Sequence, residues 1–162
     1  MQQLRILRHA DAGPWSPDIE DFPRNLLTAG TLQAQKVASW MLDKLEPPQR
    51  ILCSPAQRTR ETIAPLLALQ PDLESITQFV PQIYNAPVST LEHLLDSAFS
   101  EVDRVLIIGH NPGCDRLVHN VIHPRHYDDF QHMSPCTLVV VDFEQDWLSN
   151  HERGLLSHRV SV

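Results

Sequence analysis

The chain has 162 residues, an apolar fraction of 42% and a formal charge of −7, which fits one domain over residues 1–162 with its own hydrophobic core. The acidic balance argues against a nucleic acid or an anionic membrane surface as partner, since both attract a basic face. No segment approaches the ~18–20 consecutive apolar residues that span a bilayer.

In chain order, Leu4–Leu7 reads as a first strand, followed at once by Arg8-His9. Arg5 and Arg8 interrupt this early apolar run, so it does not read as a secretory leader. Thr28 reads as an N-cap. Behind it Ala34, Val37, Ala38, Met41 and Leu45 recur at helical spacing until Pro47-Pro48. Ile51-Leu52-Cys53 is a second strand. Ser54 and Gln57 read as a capping box with Pro55 at the first helical position, opening a helix to about Leu69. Gln78–Ile83 is a candidate third strand, and Ser89 with Glu92 a second capping box, opening a helix toward Phe99. Val105–Ile108 has the unbroken apolar run of a parallel strand covered on both faces. Gly109-His110-Asn111-Pro112-Gly113 then turns into another helix, with Asn111 as cap. Thr137–Phe143 and Ser157–Val162 read as late strands at an antiparallel edge. The alternation predicts a three-layer α/β/α sandwich with a mostly parallel sheet.

In open sheets of this class, ligands bind beyond the carboxyl ends of the strands. Arg8 and His9 follow the first strand, Arg58 lies in the first turn after the second, and His110 follows the buried one. Helix N-termini at Pro55 and Pro112 would add partial positive charge there. Arginine suits bidentate binding of phosphate oxygens, so the set predicts a phosphate pocket.

These residues resemble a known family. Arg8-His9-Ala10 is similar to the Arg-His-Gly signature of the histidine phosphatase, or phosphoglycerate mutase-like, superfamily. The resemblance continues through Arg24-x-Leu26-x-Thr28-x-Gly30, Ser54-Pro55-x-x-Arg58-x-x-x-Thr62 and Gly109-His110. Order and length look most like the compact phosphohistidine phosphatase, SixA-type branch. The resemblance implies a phosphoglycerate mutase-like fold and catalysis through a transient phosphohistidine on His9, with no metal or other cofactor. Arg8, Arg58 and His110 would bind the phosphoryl oxygens. Arg8 and Arg58 should also hold the His9 imidazole neutral.

Two departures from the family pattern stand out. Ala10 replaces the usual glycine. Where phosphomonoesterases of the superfamily place a proton-donating glutamate, this chain reads Val80-Pro81-Gln82-Ile83-Tyr84, and Gln82 is no acid. Asp11 is the nearest candidate donor. A donor-poor pocket suits a phosphoramidate better than an ester, because an alkoxide leaves poorly unless it is protonated. The absence of lid insertions implies an open site suited to a protein surface. The expected function is therefore removal of phosphate from phosphohistidine on a protein, a phosphotransfer domain or carrier. The alternatives are a small-molecule phosphomonoesterase and a catalytically silent phosphate-binding module.

The remaining features read as structural. Asp18, Glu20 and Asp21 look like a solvated loop, Ser54 like a helix starter, and Trp15, Trp40 and Trp147 like packing residues. His119, His123, His126 and His132 invite a metal reading, but Pro124 ends their helix and no supporting ligand is spaced to complete a site. Cys53, Cys114 and Cys136, odd in number and with no Cys-x-x-Cys pair, read as reduced thiols of a cytoplasmic protein. No heptad seam is present, so a monomer is expected. Nothing after Arg125 carries a readable motif.

Overall fold

The structure, a computed structural model, describes residues 1–144, 146, 147 and 153–162. A six-stranded sheet forms its middle layer. In chain order the strands are β1 (Gln2–Arg8), β2 (Arg50–Cys53), β3 (Thr77–Phe79), β4 (Arg104–Gly109), β5 (Leu138–Phe143) and β6 (Leu155–Val160). Their order across the sheet is β3-β2-β4-β1-β5-β6. The first four run parallel, while β5 pairs antiparallel with both β1 and β6. The helices are α1 (Thr28–Lys44), α2 (Gln57–Leu69), α3 (Val88–Phe99) and α4 (Gly113–Val121). No helix among the described residues is long and apolar enough to cross a membrane.

Apolar periodicity decides which layer each helix joins. Ala34, Val37, Ala38 and Met41 of α1 and Ile63 and Leu66 of α2 pack with Leu7, Ile51, Leu106, Ile108 and Val140 on one face of the sheet. Leu91, Leu95 and Phe99 of α3 and Leu117, Val118 and Val121 of α4 pack with Leu4, Ile6, Val105, Ile107 and Val139 on the other. Strand β4 is apolar on both sides, as a sheet centre covered twice must be, and β1 interrupts that pattern with the buried Arg5, whose Nη2 donates to the Glu46 carbonyl at 2.6 Å. This is the predicted α/β/α sandwich with an antiparallel edge.

The helix starts differ from the sequence reading. Thr28 lies inside α1, behind Leu27, which makes no side-chain cap. Helix α2 opens at Gln57, two residues beyond Pro55, and Ser54 does not cap it. Helix α3 opens at Val88 after Pro87, so Ser89 sits within the first turn, again with no capping bond. These helices take their stability from the buried face, and local capping is dispensable when packing supplies enough. Helix α4 opens at Gly113 with Pro112 in the cap position, so Asn111 stands one residue further out, where its side-chain oxygen still accepts from the Asp115 N–H at 3.2 Å. The third strand is short because Pro81, which has no N–H to pair, opens a 3-10 turn over Pro81–Ile83.

Candidate active site

Sheet register brings the two histidines together. Arg8 on β1 is paired with Gly109 on β4, so the next residues, His9 and His110, leave the sheet side by side. The His9 N–H donates to the Gly109 carbonyl at 3.1 Å, and the two imidazole centroids are 5.4 Å apart. On the other flank of β4, β2 delivers Ser54 and then α2 with Arg58. Residues distant in sequence therefore converge on a cavity of about 580 Å³ lined by Arg8, His9, Asp11, Asp21, Arg24, Arg58, Tyr84 and His110.

His9 is buried, and its Nδ1 lies 2.8 Å from the Ala10 carbonyl oxygen. A carbonyl only accepts, so Nδ1 carries the proton and Nε2 keeps its lone pair. Burial lowers the His9 pKa to about 4; the Ala10 hydrogen bond opposes that shift, and the charges of Arg58, Arg8 and Arg24 reinforce it. The arginines thus act in the expected direction, though desolvation is the larger cause. Burial, followed by the charge of Arg58, brings His110 down to about 3. Both rings are neutral at pH 7.

The loop carrying His9 is braced from three sides. The Ala10 N–H donates to Thr62 Oγ1 at 2.9 Å, and that hydroxyl donates to the Arg58 carbonyl at 2.7 Å. The Cys136 N–H donates to the His9 carbonyl at 3.0 Å. Arg8 Nη1 donates to the Met133 carbonyl at 2.8 Å, so the segment behind Arg125, unreadable in sequence, holds Arg8 in place.

The loop carrying Asp18, Glu20 and Asp21 corrects the sequence reading. Asp21 is not a solvated bystander. Its backbone and carboxylate oxygens accept from Arg58 at 2.8 and 3.0 Å, Arg24 reaches the carboxylate at 3.2 Å, and the Tyr84 hydroxyl donates to it at 2.5 Å. Partial burial would raise the Asp21 pKa, but Tyr84, Arg58 and Arg24 outweigh it and hold the carboxyl below the usual range. Arg24 also donates to the carbonyls of Ala12 and Gly13, at 3.1 and 2.8 Å. Asp11 lines the cavity, and its Oδ1 accepts from the Gly13 N–H at 2.9 Å. Gln82 is exposed and lies away from it.

Several other expectations change. The first N–H of α2, on Gln57, already donates to the Phe22 carbonyl at 3.1 Å, so positive charge in the cavity comes chiefly from guanidinium groups. Ser54 belongs to the site, with its Oγ 2.7 Å from His110 Nε2. Trp15 is 65% exposed at the cavity wall, while Trp147 does pack, against Phe99 and Phe143. His119 sits edge-on to Tyr127 and Phe130, and His132 bonds to Asp115 instead of joining it.

Four buried polar atoms among the described residues have no hydrogen-bond partner: Arg8 Nε, Arg24 Nε, Arg58 Nε and His110 Nδ1. All four belong to residues lining this cavity. Orphaned buried polar atoms are uncommon because each costs free energy, and three of these four are arginine N–H donors that call for an acceptor. Of these residues, sequence reasoning had named all but Arg24 as site residues. Arg24 stood in a quoted motif without a role, and Asp21 and Tyr84 carried no signal beyond residue type.

No family model matches the chain. An uncharacterized chloroplastic protein of Arabidopsis thaliana is 34% identical over 121 residues, covering 69% of this chain and 55% of that protein. The chain thus spans about half the length of that curated relative. Among solved structures, an Agrobacterium tumefaciens protein named for phosphohistidine phosphatase SixA superposes with a TM-score of 0.84 at 26% identity, covering 99% of this chain and 98% of that one. The protein histidine phosphatase SixA complexed with tungstate gives 0.80 at 22% identity, covering 98% and 96%. A mycobacterial glucosyl-3-phosphoglycerate phosphatase shares the fold more distantly, with 0.66 at 12% identity over 98% of each chain. With the fold, the strand-end motifs and these likenesses together, the chain has the phosphoglycerate mutase-like fold and is similar to the histidine phosphatase superfamily, with SixA-type phosphohistidine phosphatases among its structural neighbours.

Proposed function

We propose that this protein is a phosphatase that removes phosphate from phosphohistidine on another protein, using His9 as nucleophile and no metal. One observation carries the reading: a neutral imidazole with its Nδ1 proton committed to the Ala10 carbonyl stands beside four buried, unpartnered nitrogens of Arg8, Arg24, Arg58 and His110. That is a nucleophile next to a set of groups suited to an oxyanion.

In the proposed reaction His9 Nε2 attacks phosphorus as the substrate's P–N bond breaks. The departing imidazole takes its proton from solvent and leaves neutral. Arg8, Arg58 and His110 bind the transferring oxygens, and Arg24 adds charge beside them. Water then attacks the phosphohistidine on His9, releases phosphate and restores the free ring.

The proton inventory supports a phosphoramidate substrate. Asp21 is held ionised by Tyr84, Arg58 and Arg24, and Gln82 is outside the cavity. Asp11 is the other carboxyl in the cavity and remains the candidate donor if an ester is the substrate. The exposed rings of Trp15 and Phe22 and the exposed Ile19 belong to the loop beside the cavity, which suits contact with a macromolecule. The buried thiols of Cys53, Cys114 and Cys136 suit a reducing, cytoplasmic setting.

The test is turnover of a 32P-phosphohistidine phosphotransfer protein beside aryl and sugar phosphates, with acid-quench trapping of labelled enzyme. Release from the phosphoprotein and label on His9 are expected. His9→Ala should abolish turnover and label while leaving phosphate affinity within about tenfold, because the arginines remain. Hydrolysis of esters alone overturns the substrate reading, and label on any residue other than His9 overturns the mechanism.

A further inference from the structure

Ser54 is fully buried, and its position is set by more than the helix that follows it. Its Oγ accepts from the Ala56 N–H at 3.3 Å and lies 2.7 Å from His110 Nε2. Its hydroxyl hydrogen has no other acceptor among the described residues. On the far side of the same ring, His110 Nδ1 is buried with no partner at all.

Two tautomers of the neutral His110 ring fit these contacts, and they leave different numbers of groups unsatisfied. If Nε2 carries the proton, it donates to Ser54 Oγ. The serine hydrogen then has no acceptor, and Nδ1 is left as a buried lone pair. If Nδ1 carries the proton, the serine hydroxyl donates to Nε2 while still accepting from Ala56, and only the Nδ1 N–H is unmatched. The second arrangement satisfies one more buried group. Its single orphan is a donor, in a residue lining the anion cavity.

We propose that Ser54 is a positioning residue that fixes the tautomer of His110: its hydroxyl donates to Nε2, the ring proton is held on Nδ1, and Nδ1–H is thereby presented to a phosphoryl oxygen. This rests on reading the cavity as a phosphate site. The tautomer has a functional consequence because the ring is neutral. A ring with its Nδ1 lone pair toward the cavity would repel the same oxygen that an Nδ1–H binds, so the serine converts a neutral histidine from an acceptor into a donor. Burial keeps the ring neutral, so the choice between acceptor and donor is made by the tautomer and not by protonation. The Ser54-Pro55 pair thereby gains a role at the site as well as a place before α2.

The experiment is long-range 1H–15N correlation of the His110 imidazole in the unliganded protein near pH 7, paired with inorganic phosphate titration. In the wild type a pyrrole-type shift is expected on Nδ1 and a pyridine-type shift on Nε2. In Ser54→Ala the proton should redistribute toward Nε2, and phosphate affinity should fall roughly tenfold, with Ser54→Thr restoring both in part. In a His110→Ala background, Ser54→Ala should cost no further affinity, because the serine acts through that ring. A wild-type His110 protonated on Nε2 overturns the proposal whether or not any variant folds. Equal affinity losses from Ser54→Ala with and without His110 also overturn it. Neither readout uses the phosphoprotein, so a wrong substrate would leave this result standing, and a wrong tautomer would leave the phosphatase reading standing.

Discussion

Thr62 shows how much of the site depends on single hydrogen bonds. Its hydroxyl accepts from the Ala10 N–H and donates to the Arg58 carbonyl, tying the loop of His9 to the helix that carries Arg58. Thr62→Val keeps the shape and removes both bonds, which leaves the buried Ala10 N–H without a partner. An orphaned buried donor costs about 1–3 kcal/mol. Urea denaturation should show a loss of that size, and turnover should fall further than stability alone explains, since His9 is adjacent. Unchanged turnover in a folded Thr62→Val protein would mean that the loop is held by its other contacts, from Gly109 and Cys136.

Among the elements, α1 meets the loop that follows His9 with almost no clearance. A Cβ placed on Gly30 would lie 2.1 Å from the Asp11 carbonyl oxygen, far inside contact distance, and that oxygen also accepts from the Leu27 N–H at 2.9 Å. Both groups are backbone, so neither can step aside by changing rotamer. Gly30→Ala should therefore push α1 away from the loop, at a cost of about 3 kcal/mol, and should lower turnover through displacement of His9. Thermal melting and steady-state rates on the same preparation check this; wild-type values for both would exclude a close approach of α1. The last glycine of Arg24-x-Leu26-x-Thr28-x-Gly30 thus answers to packing. The first arginine of that motif answers to charge, because Arg24 bridges Asp21 and the carbonyls of Ala12 and Gly13.

Across the whole molecule, the two site histidines make stability depend on acid. His9 and His110 have folded pKa values lowered to about 4 and about 3, against about 6.5 in an unfolded chain. Below pH 6.5 the unfolded chain takes up protons that the folded protein refuses, so stability falls as pH drops. The loss continues until the folded pKa values are reached. Asp21 adds to the same trend further down, because its lowered pKa means that its contribution is lost as it protonates. By about pH 4.5 each ring should have cost on the order of 2 kcal/mol. Urea midpoints at pH 7, 5.5 and 4.5 should decline, and His110→Gln should decline less steeply. A midpoint that does not move across this range would mean that the rings are more hydrated than their burial implies.

The primary structure by itself determined the layers and the main chemical groups of the cavity. Apolar residues at Ala34, Val37, Ala38 and Met41 can bury together only on a helix, and the unbroken run Val105–Ile108 only on a doubly covered strand, so the sandwich was legible. Arg8, His9, Arg58 and His110 were legible because each stands at a strand end or helix start, where a sheet of this class gathers its ligands. What the tertiary structure alone decided was who partners whom. Asp21 could have stayed in water, Ser54 could have capped a helix, and Met133 and Cys136 could have packed anywhere. Hydrogen-bond partners over such separations are selected by the geometry of the packed chain, where a buried donor must find an acceptor within reach. Spacing in the chain carries no information about that reach until the strands are in register.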